Sequence, residues 1–259
     1  MKYGICTLSI VPGRLEPSDS SEMVTQVLFG ELYRVIEERK KWVKIRTTHD
    51  GYESWIDRKQ HFQIARDEFF ELEKQPKVCS TEWLEMLNAE DPDSRMPITF
   101  GSLLPNFKQN VCQFAGLRYK YDGSVCHNPK PERKAILDAA ALMINAPYLW
   151  GGRSPLGLDC SGYVQLVYRM AGIELPRDAA QQAEKGRRLS FIEEATPGDL
   201  AFFDNDQGNI IHVGILLASN HIIHASGKVR IDRIDHQGIH NNEIKGYSHQ
   251  LRLITKILP

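Results

Sequence analysis

The sequence predicts a multidomain chain: two small all-β units, then an α+β domain with a central antiparallel sheet. Three observations carry this. Residues 1 to about 66 hold short runs of β-branched and aromatic residues broken by turns, with no helix-length periodicity. His127-Asn128-Pro129-Lys130-Pro131 brackets a lysine with prolines directly before a new helical pattern. Beyond that point helical patterns come first and apolar strands follow. The resulting division is 1–66, 67–127 and 128–259, and 259 residues suffice for two or three domains.

In the first unit, Val24 to Val27, Leu32 to Glu37 and Trp42 to Arg46 read as strands, and Asp50-Gly51 is a turn before a strand from Tyr52 to Ile56. Arg66 to Lys77 reads as a linker or short helix. Strand-like runs return at Phe100 to Pro105, Val111 to Phe114 and Tyr119 to Gly123. Phe-Gly-x-Leu occurs at Phe29 and again at Phe100, which suggests a diverged internal repeat, with two unrelated β subdomains as the alternative. In the last unit Ile136, Ala139, Ala140 and Met143 line one helix face ending near Asn145. Leu200 to Phe203 reads as a buried strand, and Ile210 to Leu217 and His221 to Ala225 as a hairpin turning around Ser219-Asn220.

Between them lies a Gly/Pro-rich loop, Pro147 to Asp159, that ends at Cys160. From Cys160 onward Val164, Val167, Tyr168 and Ala171 recur at helical spacing, and Gly172 is a stop signal. A cysteine in the first turn of a helix meets unpaired N–H groups and the positive dipole end, a setting expected to lower its pKa and favour a nucleophilic thiolate. A nucleophile needs a base, and His212 and His224 stand on the two hairpin strands. Same-face projection of both requires an odd loop or a bulge. Two other readings stay open at this point: histidines satisfied inside a core, and an open zinc site made of Cys160, His212 and His224. The remaining histidines, His249 among them, read as surface or structural.

Lys and Arg total 32 against 33 Asp and Glu, so no electrostatic footprint suggests nucleic acid or an anionic membrane surface as a partner. No apolar run has the length of a membrane span, and Met1 to Pro12 lacks a leader pattern, so a cytoplasmic location is expected. Five scattered cysteines without a C-x-x-C pair suggest reduced thiols.

Six ordered motifs make residues 130 to 259 resemble the NlpC-type papain-like cell-wall peptidases: Tyr148-x-Trp150-Gly151-Gly152, Asp159-Cys160-Ser161-Gly162, Leu175-Pro176-Arg177, Pro197-Gly198-Asp199-Leu200, His212-Val213-Gly214-Ile215 and His224-Ala225-Ser226. Phe29-Gly30-Glu31-Leu32, Trp42 to Ile45 and Gly51 to Ile56 resemble the bacterial SH3-like domain, so both β units are expected to be SH3-like barrels. The resemblance implies a cysteine endopeptidase cutting the γ-D-glutamyl–diamino acid amide (diaminopimelate or lysine) of murein peptides. Cys160 is then the nucleophile, His212 the base, His224 its orienting partner, and Tyr148 an oxyanion donor or a packing residue. Asp159 and Ser161 flank the substrate, Asp159 doubling as a helix cap.

In family members preceded by SH3-like domains an acid follows Leu-Pro-Arg, so the resemblance gives Asp178 the free N-terminal amine of L-alanine. Glu53, with Trp55 beside it, is a candidate second carboxylate or a surface charge. Arg177 is a fork for the substrate carboxylate or a salt-bridged scaffold residue. This chemistry calls for no metal or cofactor, and its partner is a murein-derived peptide such as L-Ala-γ-D-Glu-diamino acid. An inactive peptide-binding scaffold and a different papain-like acyl chemistry are the alternatives, and the sequence leaves the oligomeric state unset.

Overall fold

The computed structural model describes residues 2–89, 95–218 and 220–258. It divides into two compact units, residues 1–129 with 151–155 and residues 130–150 with 156–259. The boundary thus falls two residues beyond the expected 127/128, and five residues of the loop before Cys160 belong to the first unit.

The first unit opens with β1 (Lys2–Ile5), β2 (Ile10–Arg14), β3 (Met23–Leu28), β4 (Leu32–Glu38), β5 (Trp42–Thr47), β6 (Glu53–Asp57) and β7 (Gln63–Ile64), in sheet order β3-β2-β6-β5-β4-β1-β7. Alternation sets the faces: Val43 and Ile45 are fully buried with Val27, Tyr33 and Ile56, while Lys44 between them turns outward. Asp50 accepts from the Tyr52 N–H at 3.0 Å, and Gly51 takes φ +71°, as the Asp-Gly turn requires.

Helix α1 (Arg66–Lys74) follows, then β8 (Val78–Ser80), β9 (Leu84–Ala89), β10 (Arg95–Thr99), β11 (Val111–Phe114), β12 (Leu117–Tyr121) and β13 (Val125–His127). These strands form a four-stranded sheet, β10-β9-β12-β11, and a β8–β13 pair. The two β regions share one core in which Phe29 packs edge-on against Phe114 and Tyr119.

The expected strand from Phe100 to Pro105 is instead a turn, because Gly101 at φ +81° ends β10 at Thr99. Its counterpart is Phe29-Gly30, with φ +79° at Gly30. Gly30 N–H donates to Cys6 O (2.8 Å) and Cys6 N–H to Glu31 O (2.9 Å); Gly101 N–H donates to Ser80 O (2.9 Å) and Ser80 N–H to Ser102 O (2.9 Å). The four-letter repeat therefore marks one turn built twice. At Gly30 a Cβ would stand 2.2 Å from Leu103 O, so close approach and left-handed φ both demand glycine.

Strand β14 (Arg153–Ser154) lies in the first unit. Arg153 and Glu31 are both fully buried and paired through two 3.0 Å hydrogen bonds, with a third from Arg153 Nη1 to Gln26 O at 2.6 Å.

The second unit contains α2 (Arg133–Leu142), β15 (Gly157–Leu158), α3 (Cys160–Arg169) and α4 (Ala179–Gln182). Its sheet runs β16 (Arg187–Leu189), β22 (Gly246–Lys256), β17 (Leu200–Asp204), β18 (Ile210–Leu217), β19 (His221–Ser226), β20 (Lys228–Ile234), β21 (Gly238–Asn241), and β22 also pairs with β21, closing six strands on themselves. This is the expected α+β order, extended by three strands beyond the hairpin. α3 packs on β18 and β19. It stops where Gly172 takes φ +70°. Of the hairpin turn, Ser219 lies outside the described residues.

Candidate active site

Asp159 starts the site because it starts the helix. Its backbone is extended, and its carboxylate accepts the Gly162 N–H at 2.7 Å, an N-cap that fixes the first turn of α3 and with it Cys160. Arg177 holds that carboxylate from below, donating from Nη1 to Oδ1 (3.0 Å), from Nη2 to Oδ2, and from Nη1 to Ser161 Oγ (2.9 Å). Gln182, fully buried on α4, donates to Ser161 O (3.0 Å) and Pro176 O (2.8 Å) and ties the same turn to the Leu175-Pro176-Arg177 segment. The sequence reading passed over Gln182.

Cys160 is 7% exposed. Burial pushes its thiol up to about 12, the Asp159 charge adds to this, and the Val213 backbone N–H, Arg177 and the Ser161 backbone N–H pull the other way without prevailing. The expected thiolate-favouring helix terminus is thereby corrected. Burial of the thiol comes first, and the Asp159 charge at the helix end opposes the dipole's help.

His212 (5% exposed) and His224 (1% exposed) share a face. Gly214 pairs with His224 and Leu217 with His221, leaving the odd loop of three residues that same-face projection needs. His212 Nε2 lies 2.8 Å from His224 Nδ1, with the rings near perpendicular at 86°. Burial, then His249 and His224, hold the His212 pKa well below the ordinary 6.5, so the ring is a neutral imidazole. Two imidazoles bonded to each other do not converge on a common metal ion. The arrangement is a base and its orienting partner.

Two neighbours escaped the sequence reading. His249 on β22, expected to be surface or structural, stacks on His212 with centroids 4.1 Å apart and rings 25° from parallel. Burial, and then His224, lower its pKa to about 4, with Asp232 opposing. Asp232 on β20 accepts from His224 Nε2 at 3.0 Å and is itself gripped by Arg230, Nε to Oδ2 at 2.7 Å and Nη2 to Oδ1 at 3.0 Å. In the alternating run Val229 to Ile234 its charge reads as a solvent-facing residue. Only the β19–β20 register brings it under His224.

Tyr148 is half-buried. Burial, then the charges of Cys160 and Asp159, raise its phenol to about 12, against the pull of Arg177, so it remains an O–H donor beside the thiol. Asp178 is the N-cap residue of α4, and its side chain makes no capping hydrogen bond. Arg177 is 2% exposed and turns its guanidinium to Asp159 and Ser161, which supports its scaffold reading. In the first unit Glu53 pairs with Lys44 (2.8 Å) and Arg46 (2.5 Å), and those two cations lower its pKa. This is the pattern of a surface charge. Trp55 is 4% exposed, with the Arg39 guanidinium 4.5 Å from its ring centroid.

A cysteine opening a buried helix, packed on an antiparallel sheet that supplies a paired imidazole base, defines a papain-like cysteine peptidase. Residues 145–246 match the NlpC/P60 family and residues 13–60 the bacterial dipeptidyl-peptidase SH3 domain. The chain thus carries an NlpC/P60 domain preceded by a bacterial dipeptidyl-peptidase SH3-like domain. It is 26% identical over 232 residues, 80% of this chain and 68% of the relative, to a gamma-D-glutamyl-L-lysine dipeptidyl-peptidase of Bacillus cereus. It is 27% identical over 240 residues (86% and 75%) to the protein of that name in Bacillus subtilis. The crystal structure of an NlpC/P60 family protein from Bacillus cereus shares the fold over 99% of this chain and 100% of that one, with a TM-score of 0.85 at 20% identity.

Proposed function

We propose that the protein hydrolyses the γ-D-glutamyl–diamino acid amide of short murein peptides that carry a free N-terminal L-alanine. The observation that carries the chemistry is the hydrogen bond between His212 and His224, with the buried helix-start thiol of Cys160 held at the backbone N–H of Val213, the residue next to His212. The relatives named for gamma-D-glutamyl-L-lysine dipeptidyl-peptidase activity support the substrate class.

With a neutral thiol and a neutral imidazole at rest, His212 acts as a true general base. Its Nε2 is engaged by His224, so Nδ1 takes the thiol proton as Sγ bonds to the γ-carbonyl carbon. The Tyr148 hydroxyl and a backbone N–H at the start of α3 stabilise the oxyanion. Collapse breaks the C–N bond, the His212 imidazolium protonates the leaving amine, and water then hydrolyses the thioester. Asp178 receives the substrate ammonium. Such a charge-assisted hydrogen bond is worth about 1.5–3 kcal/mol, enough to discriminate against an acylated amine.

The doubled Phe-Gly turn supports reading the second β region as a diverged SH3-like barrel that shapes specificity rather than binding a polymer. Action on small released peptides fits murein recycling in the cytoplasm. The experiment is product analysis with L-Ala-γ-D-Glu-meso-diaminopimelate or its L-lysine analogue, free and N-acetylated. Release of L-Ala-γ-D-Glu from the free peptides alone is expected. Equal cleavage of the acetylated peptides would overturn the amine requirement, and no cleavage of any would overturn the substrate.

A further inference from the structure

We infer that Asp232 is a positioning residue of the catalytic centre, which sets, two rings away from the thiol, the nitrogen on which His212 is unprotonated. The inference rests on the thiol-peptidase reading of the site. Asp232 is 6% exposed, and although burial opposes its charge, hydrogen bonds from His224 and Arg230 hold its pKa below the usual carboxylate range. An ionised carboxylate only accepts. The hydrogen in the 3.0 Å contact with His224 therefore resides on His224 Nε2.

In the form of His224 that carries a single N–H, the carboxylate holds that hydrogen on Nε2 and Nδ1 presents a lone pair. The 2.8 Å contact between the rings is then a donation from His212 Nε2 to His224 Nδ1. His212 is left with a bare Nδ1, the nitrogen that receives the Cys160 proton. Without the carboxylate the opposite polarity is equally allowed: His224 donates from Nδ1, His212 carries its proton on Nδ1, and the base is blocked.

Arg230 makes Asp232 directional. Its Nε and Nη2 each donate to a separate carboxylate oxygen while Nη1 reaches Glu243 at 3.1 Å, so Asp232 cannot swing away from His224. The titratable groups facing this chain are Cys160 and His249 at the His212 end, His249 again beside His224, and Arg230, backed by Glu243, at the Asp232 end. The carboxylate is the charge that answers the imidazolium formed during turnover.

The test is Asp232→Asn in the full chain, which keeps the shape but offers a donor in place of one acceptor. With a peptide that the wild type cleaves, kcat falls about 10- to 100-fold with KM within twofold, matching the loss of one hydrogen bond to a charged group. The acid limb of kcat/KM moves to lower pH, because the imidazolium loses its counter-charge. By 15N correlation NMR, His224 is an Nε2–H tautomer in the wild type and loses that preference in the variant. Asp232→Ala, checked for a retained thermal transition, gives the same kcat loss.

Wild-type kcat and pH limbs in a folded Asp232→Asn protein, or an Nδ1–H tautomer at His224 in the wild type, would overturn the inference. Should no peptide be cleaved by the wild type, the pH profile of Cys160 alkylation by iodoacetamide reads the same base. A difference between wild type and Asp232→Asn there upholds the role of Asp232 while the substrate fails, and identical profiles reject it.

Discussion

Arg177 grips Asp159 with both terminal nitrogens, and that one ion pair carries the start of the catalytic helix. Breaking it from one side leaves a buried carboxylate uncompensated, at a cost of about 3–5 kcal/mol. Arg177→Met is expected to lower the thermal midpoint by about 10 °C, at roughly 2–4 °C per kcal/mol for a chain of this size, and to abolish turnover. Arg177→Met with Asp159→Asn should recover part of the midpoint. A double mutant no more stable than Arg177→Met would show that the pair is not coupled.

The raised Cys160 thiol and the neutral His212 predict a nucleophile made on demand. Alkylation by iodoacetamide should climb steadily from pH 6 to pH 10, with Cys160→Ala as the background control. A plateau already reached below pH 7 would reveal a preformed thiolate–imidazolium pair. Stability should follow the same logic at high pH. Cys6, Cys112 and Cys160 rise from 9.0 to about 12, so the native state keeps protons that the unfolded chain releases. Their contribution is full below pH 9 and is lost as pH rises from 9 toward 12. The thermal midpoint should fall over that window, with a shallower slope in Cys112→Ala.

Stacking of His249 on His212 limits the tilt of the base. Aromatic pairs contribute about 0.5–1.5 kcal/mol, so His249→Ala should reduce kcat by up to roughly tenfold with KM unchanged, and His249→Phe should retain most of the rate. Equal kcat in all three proteins would remove the stack from the mechanism. At acid pH, His249 has its pKa lowered from 6.5 to about 4, so protonation favours the unfolded chain. Its contribution is present above pH 6.5 and is lost as pH falls toward 4, and His249→Phe should flatten that limb of the midpoint–pH curve.

Much of the site was legible in the sequence because its parts are local. A Gly/Pro-rich loop, a capped helix and an apolar hairpin make Cys160, His212 and His224 candidates, the family resemblance gives them their roles, and the three-residue loop puts the two histidines on one face. What spacing could not reveal depends on sheet pairing, of the distant strand β22 in one case and of the exact β19–β20 register in the other. His249 reaches His212 from β22, and Asp232 reaches His224 across the β19–β20 register, so neither carries a nearby sequence signal. The thiol pKa was misjudged for a related reason. The helix dipole can be read from sequence, whereas the burial that outweighs it is a property of the packed domain. In the β region the repeated Phe-Gly marked a real turn, but its glycine ended a strand where the apolar letters suggested one.

That turn makes a direct stability test. Gly30→Ala must accept φ +79° and displace Leu103 O, which a Cβ would approach to 2.2 Å. A loss of about 2–4 kcal/mol is expected, seen as a lowered denaturation midpoint, while Gly51→Ala, where a Cβ meets nothing within 4 Å, should cost about 1 kcal/mol. Equal losses at the two glycines would show that φ alone, and not the close approach, matters.

The five residues Gly151–Pro155 have a bearing on inheritance. The chain leaves the first unit after Pro129, re-enters it for those five residues and departs again, so neither unit is one uninterrupted stretch of gene. Arg153 is among the five, and Glu31, deep in the first unit, depends on its guanidinium. A recombination event that exchanged the first 129 codons alone would deliver Glu31 without that counter-charge. An exchange of the β region would therefore have to carry codons 151–155 with it.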